Sequence, residues 1–399
     1  MAPKSSTKAP VFVLYFPDAV RVAGETIQGR VELDVARAQD DGVENVCVNL
    51  RGSIVTTIIE TNCDGSDTKH ERTIQLIDSG RSLWERGAAY PLPGCHTLVL
   101  PFEFKLPDNL PPSFHLAIPQ HEAVISYTIE VVGRRPDLLR KDRRIRQNFA
   151  VLPAASPEQV LAKTSLKQGW GGLWRTTSLE QKLRQGIWGD YSHARAELKV
   201  PKLTSFPRAT ALPVKFYVET RTKPMSRTAA PEDKHHKPLF PAPPVDSTEV
   251  KLYFHREATI RTRRRHGTLN DSCQTLGSLG DPASTSVTPT VGVPQWVPDP
   301  EKKDRGVWKR SVQFETTLTL PFAPSFSTET VDCKYFLRFT VSFPGIGNDL
   351  NLDVPIRLDP AHPCPAPDNI NYAYIPPDGP PPLPDSPPSY LSALERDDM

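Results

Sequence analysis

What the chain lacks narrows its chemistry first. Its six cysteines, Cys47, Cys63, Cys95, Cys273, Cys333 and Cys364, are scattered over 399 residues. No two form a CxxC pair or join histidines at zinc spacing, so no metal site is expected. His235-His236, with Asp233 nearby, is the densest histidine group, and two adjacent histidines fall short of the three protein ligands of a catalytic zinc. There is no glycine-rich phosphate loop, no HExxH and no GxSxG, so no residue is assigned a catalytic role and no cofactor is expected. No run of 18 apolar residues occurs to span a membrane as a helix. The opening MAPKSSTKAPVFVLYF carries an apolar stretch too short for a signal peptide. Together these features predict a reduced, cytosolic protein. A net charge of +2 gives no global reason to bind nucleic acid, and any electrostatic partner must be met by a local patch.

What the chain has in excess is proline, 43 residues, about twice the usual share. Proline cannot donate to a helix or an inner strand, so this composition favours short strands, turns and extended linkers. The apolar pattern agrees. Ile125, Tyr127, Ile129 and Val131 alternate with Ser126, Thr128 and Glu130, and Val312, Phe314, Leu318 and Leu320 stand against Gln313, Glu315, Thr317 and Thr319. In YFLRFTVSF, residues Tyr335, Leu337, Phe339, Val341 and Phe343 share one face. Period-two segments with one dry face and no βαβ alternation predict an all-β chain of antiparallel β-sandwiches.

Helix signals are confined to the middle. Ser156-Pro157-Glu158-Gln159 offers an N-cap, a proline at the first helical position and a capping-box glutamine. Ser178 with Gln181 repeats the cap, and Leu179, Leu183 and Ile187 follow along one face. Three tryptophans, Trp170, Trp174 and Trp188, are expected to pack this stretch onto a domain face. The resulting division is a sandwich over 10–152, a helical, Trp-rich linker over 153–195, a second sandwich over 196–360, and a disordered Pro-rich tail over 361–399. Within the second sandwich, 221–249 and 264–306 read as long mobile loops, because neither has the apolar content to offset the entropy of ordering.

Two elements point to partners. In the tail, Pro387-Pro388-Ser389-Tyr390 is a PPxY element, with Leu394 one helical turn beyond the tyrosine. Adjacent prolines hold an extended polyproline II shape before binding, and WW domains read such a segment in an aromatic groove. The second element is GRRPDLLRKDRRIRQ (133–147), in which Arg134, Arg135, Arg140, Lys141, Arg143, Arg144 and Arg146 face two aspartates. Arginine forks suit phosphate and carboxylate oxygens, which makes this a candidate patch for anionic headgroups or acidic cargo tails. The same composition also suits a solvated strand edge protected against edge pairing. A further run, Arg261, Arg263, Arg264 and Arg265, reads as a solvated face.

In order along the chain, these strands resemble the arrestin fold, and specifically the fungal arrestin-related, alpha-arrestin-like trafficking adaptors. VAGETIQGRVEL (22–33) is similar to the family's PGE-x-I-x-G-x-V element, with Ala23 where proline is usual. VCVNLRGSIV (46–55) resembles the strand that follows. PFEFKLPDNLPPSF (101–114) with ISYTIEVVG (125–133) resembles the family's most specific stretch. The second half, through LKVPKLTSF (198–206), ALPVKFYVET (211–220) and LNLDVPIRL (350–358), resembles the C-terminal arrestin domain more loosely. The resemblance implies two immunoglobulin-like, arrestin-type sandwiches in a non-catalytic adaptor. Such an adaptor would bring a WW-domain ubiquitin ligase to the cytosolic regions of membrane transporters or receptors and promote their ubiquitination and endocytosis. It would be cytoplasmic and peripherally recruited to the plasma membrane or endosomes. The alternatives are an arrestin-shaped trafficking coat, or a signalling scaffold of the ambient-pH type that presents PPDGPPPLP (376–384) to an SH3 domain.

Overall fold

The structure is a computed structural model and describes residues 10–92, 94–136, 140–184, 191–226, 228, 239–279, 287, 289–302 and 304–360. Among the described residues the chain is all-β apart from two short α-helices and one 3-10 turn. In the first sandwich, β1 (Phe12–Tyr15), β2 (Thr26–Asp34) and β5 (Thr97–Lys105) form one sheet in the order β1-β2-β5. The facing sheet runs β4-β3-β7-β6, built from β3 (Asn45–Thr61), β4 (Asp67–Glu85), β6 (Phe114–Ile118) and β7 (His121–Arg134). The strand β8 (Arg143–Phe149) pairs with β7 as well.

The alternation read from sequence sets which face is dry. Ile125, Tyr127, Ile129 and Val131 point inward and are at most 2 % exposed, packing with Ile27, Val31, Leu33, Leu50 and Ile54. Such fully buried side chains contribute roughly 1.5–3 kcal/mol each. Tyr127 satisfies its hydroxyl by donating to the Pro111 carbonyl at 2.7 Å, which ties the proline-stiffened 107–112 excursion to the core. At Gly29 a Cβ would stand 2.4 Å from Phe102 Cζ, so the strand can pass the ring only without a side chain.

After β8 the helix α2 (Pro157–Gln168) begins as expected, with Ser156 and Gln159 forming a complete capping box. The helix expected from Ser178 is absent. Residues Trp174–Leu183 form β9, paired antiparallel along its whole length with β10 (Ser192–Pro201). The Ser178/Gln181 spacing imitates a cap. However, β-branched Thr176 and Thr177 and ten register partners on β10 outweigh a weak helix propensity. The second sandwich therefore starts near 174 rather than 196. Trp170 packs partly against the core and Trp174 is half-buried on β9, while Trp188 and Ile187 lie outside the described residues.

In this sandwich β9, β10, β11 (Leu212–Arg221) and β14 (Arg305–Leu318) form one sheet in that order. The other runs β13-β12-β15, from β12 (Val250–Arg261), β13 (His266–Ser278) and β15 (Val331–Val341), with β16 (Leu350–Ile356) and the short strand Phe326–Ser327 both on the far edge of β15. Phe216 stacks on Phe339 at 5.0 Å, and Phe254 on Tyr335 at 4.9 Å, between the sheets and within the second. The segment 264–306, expected as loop, holds β13 and the short strands Pro289–Val291 and Gln295–Pro298 on β14. An edge strand needs a neighbour's hydrogen bonds rather than an apolar face, so apolar alternation is a poor guide there. In 221–249, Met225–Ser226 pairs with β14 and Ser247–Glu249 forms a 3-10 turn. The buried Arg310 donates to the carbonyls of Leu239 and Pro241.

Each sandwich is closed by a two-residue parallel ladder. Arg21–Val22 pairs with Val151–Leu152 in the first, and Phe206–Pro207 with Leu358–Asp359 in the second. Between the sandwiches, Thr56 donates to the Arg261 carbonyl at 3.0 Å, Arg265 pairs with Glu60 at 2.6 Å, and Arg72 pairs with Glu329. Phe114 meets Phe326 edge-on at 5.0 Å.

Candidate functional site

The basic segment lies where β7 ends and β8 begins. β8 returns antiparallel to β7, which sets Arg144 opposite Val132 and Arg146 opposite Glu130. That register brings cations over a carboxylate that the sequence pattern had placed on the wet face. Glu130 is in fact 1 % exposed. Arg146 Nε donates to its Oε1 at 2.8 Å and Arg144 Nη1 to the same oxygen at 3.2 Å, while Arg51 Nη1 on β3 stands 3.3 Å from Oε2. Burial pushes the Glu130 carboxyl up. The hydrogen bonds from Arg146 and Arg144 and the charges of Arg146 and Arg51 together outweigh it, so the group sits below the ordinary glutamate range.

A second carboxylate anchors the other end. The helix α1 (Val35–Asp40) is capped by Asp34, which accepts from Arg37 N at 3.0 Å. It stops at Asp41-Gly42, where Gly42 takes φ of +74°. Asp41 accepts two bonds from Arg143, at 2.7 and 3.1 Å, and also pairs with the nearly buried Arg135. Asp142 accepts from Arg135 N at 3.1 Å and from Arg144 at 3.3 Å. A cleft of about 280 Å³ lined by Phe12, Arg37, Asp41, Arg143 and Arg144 opens beside this cluster.

The seven predicted residues are thus brought to one ledge in three states. Arg135, Arg143, Arg144 and Arg146 are held in ion pairs. Arg134 and Lys141 are exposed and make no ion pair among the described residues. Arg140 is exposed and interacts with its surroundings. An anion arriving here meets two unpaired cations directly, and for Arg135, Arg143, Arg144 and Arg146 it must compete with Asp41, Glu130 and Asp142. In the second arginine run, Arg261 pairs with Asp332 and Arg265 with Glu60, and Arg263 and Arg264 are exposed. Sequence reasoning missed Asp41, which lies far from the basic run in the chain, and Glu130, which lies just before it and was read as facing solvent.

Pro387, Pro388, Tyr390 and Leu394 lie outside the described residues, as do His235 and His236. Among the described residues no group of three or more His, Cys, Asp or Glu could hold a metal ion. Cys47 and Cys333 are buried in strands, and Cys63 and Cys95 are exposed. No helix among the described residues is long and apolar enough to cross a membrane.

Two stacked antiparallel sheets, a short helix after the second long strand, and a proline-stiffened excursion before the core tyrosine strand make up the first sandwich. Residues 12–156, which span it, match the family model of the arrestin (or S-antigen) N-terminal domain. No curated protein matches the chain. The match supports the arrestin-type reading of the first sandwich, whose layout of two antiparallel sheets and a closing parallel ladder recurs in the second.

Proposed function

We propose that the protein is a non-catalytic adaptor that brings a WW-domain ubiquitin ligase to membrane-protein cargo, promoting its ubiquitination, endocytosis and trafficking. The observation that carries this reading is the PPxY element Pro387-Pro388-Ser389-Tyr390, placed after two sandwiches of which the first matches an arrestin N-terminal domain. A preformed polyproline segment with an aromatic anchor is a ligand for WW grooves. The sandwiches offer broad rigid faces for cargo, and the ledge around Arg134 and Lys141 is the place where acidic cargo tails or anionic lipids would be met. On this reading the protein works from the cytoplasm and is recruited to the plasma membrane or endosomes. A docked ligase would also modify lysines near at hand. Lys223 and Lys302 are exposed and Lys163 and Lys167 lie on α2, whereas Lys234, Lys237 and Lys303 are outside the described residues.

The test is a peptide covering residues 383–399 titrated against isolated WW domains of ubiquitin ligases. The expected affinity is micromolar, and Tyr390→Ala should weaken it about tenfold, or ~1.4 kcal/mol, through loss of the buried anchor. Leu394→Ala should cost less. Affinity purification of the full chain with and without Tyr390→Ala then identifies the ligase. Equal binding by both peptides would remove the ligase from the mechanism and leave the coat or scaffold reading.

A further inference from the structure

The far edge of β15 changes partner partway along. Phe326 faces Cys333 and Ser327 faces Asp332, whereas Ile356 faces Tyr335 and Pro355 faces Phe336. Lys334 stands between the two partner strands with no register partner on that edge. The gap opens a cleft of about 400 Å³, within the roughly 300–1,000 Å³ range of small-molecule sites. Its floor is apolar and aromatic, from Phe206, Phe326, Tyr335 and Ile356. The lining includes three cations, Arg175, Lys334 and Arg357, and no carboxylate.

None of the three cations makes an ion pair within 4 Å among the described residues. Lys334 acts on Asp332 only through the longer-range field between them. Asp332, the acid nearest Lys334 in the chain, pairs with Arg261, and Asp353 on β16 pairs with Arg338. Arg175 donates weakly to the Pro355 carbonyl at 3.4 Å, and its buried Nε has no hydrogen-bond partner. A buried N–H of an arginine without an acceptor carries a desolvation cost that an incoming anion would relieve. An aromatic floor suits an apolar body, and three cations with no carboxylate in the lining suit an anionic head.

We propose that this cleft binds a long-chain carboxylate of the fatty-acid class. Its carboxylate would meet Arg175, Lys334 and Arg357, and its chain would enter the notch in β15 toward Phe206 and Ile356. The test uses the full chain and a fluorescent long-chain carboxylate, dansyl-undecanoic acid. Wild type should bind it saturably and release it to unlabelled oleate, but not to methyl oleate or inorganic phosphate at matched concentration. The double variant Lys334→Gln/Arg357→Gln should bind about tenfold more weakly, the scale of losing charge-assisted contacts, with an unchanged unfolding midpoint. If the double variant does not fold, Lys334→Gln alone, at an exposed position, carries the test, with a several-fold loss expected. The proposal is overturned if wild type shows no saturable binding, or if a folded rim variant binds as wild type does. It also falls if phosphate displaces the probe as well as oleate does, because the apolar floor then contributes nothing, or if methyl oleate does, because the cations then contribute nothing.

Discussion

The ledge at β7–β8 and the notch in β15 both gather arginines and lysines, and they differ in what stands behind those charges. On the ledge, Arg143 is held in a two-point grip by Asp41, and Arg144 and Arg146 share Glu130. In the notch, Arg175, Lys334 and Arg357 line a cleft with aromatic residues and no carboxylate. The richer cluster in sequence is the more internally satisfied one, and the sparser cluster keeps its charge available. A count of basic residues therefore does not measure affinity for an anion. The pairing does, because a cation already bonded must give up one partner to gain another.

The largest test of this contrast removes the ledge cations. Arg144→Ala/Arg146→Ala would leave Glu130, buried at 1 % exposure, with only Arg51 beside it. Allowing for the exposure of the arginines, the expected loss is about 2–3 kcal/mol of stability, read from the urea midpoint. Glu130→Gln in that background should recover part of it by removing the unpaired charge. If the double variant is as stable as wild type, the ledge is as open as the notch and the contrast fails. For the same reason, neutralising Arg143 and Arg144 is not a neutral change for folding, and Arg134 and Lys141 are the positions at which membrane binding can be tested cleanly.

The next test converts one kind of site into the other. Asp41→Asn removes the acid that grips Arg143 and Arg135, so binding to vesicles containing anionic lipid should strengthen several-fold at low salt, an effect that fades as the Debye length shrinks from about 10 Å at 0.1 M to about 3 Å at 1 M. Unchanged or weaker vesicle binding would mean that paired arginines are already available. Acidification gives a smaller effect. The Glu130 carboxyl lies below the ordinary glutamate range, so its contribution is present above about pH 4.3 and is lost as pH falls further, through its folded-state pKa. The urea midpoint should fall over that window, and Glu130→Gln should flatten the dependence. The smallest expected effect is on stability in Arg134→Gln or Lys141→Gln, within about 0.5 kcal/mol, since both side chains are exposed and unpaired.

Much of the frame was legible from residues. The inward set of β7 and the capping box of α2 follow from alternation and spacing, which act within a few residues. The misread parts all depend on partners outside the segment itself. Trp174–Leu183 is a strand because β10 lies beside it, and His266–Ser278 because β12 does. Glu130 is buried because Arg144 and Arg146 return over it, and the notch exists because two strands divide one edge of β15. None of these neighbours is encoded in the local pattern of the segment it changes.

The parallel ladder between Phe206–Pro207 and Leu358–Asp359 has a mechanical side. It is the last strand pairing among the described residues, which end before the PPxY element. Ser205 Oγ donates to the Asp359 carboxylate at 3.1 Å, and Phe206 N to the Arg357 carbonyl at 2.8 Å. A pull on the tail, such as a large ligase tethered there would exert as it diffuses, loads this short clamp first. The long antiparallel strands of the second sandwich would feel that tension only after the clamp had yielded, so under the proposed ligase docking the clamp would act as strain relief for the folded body.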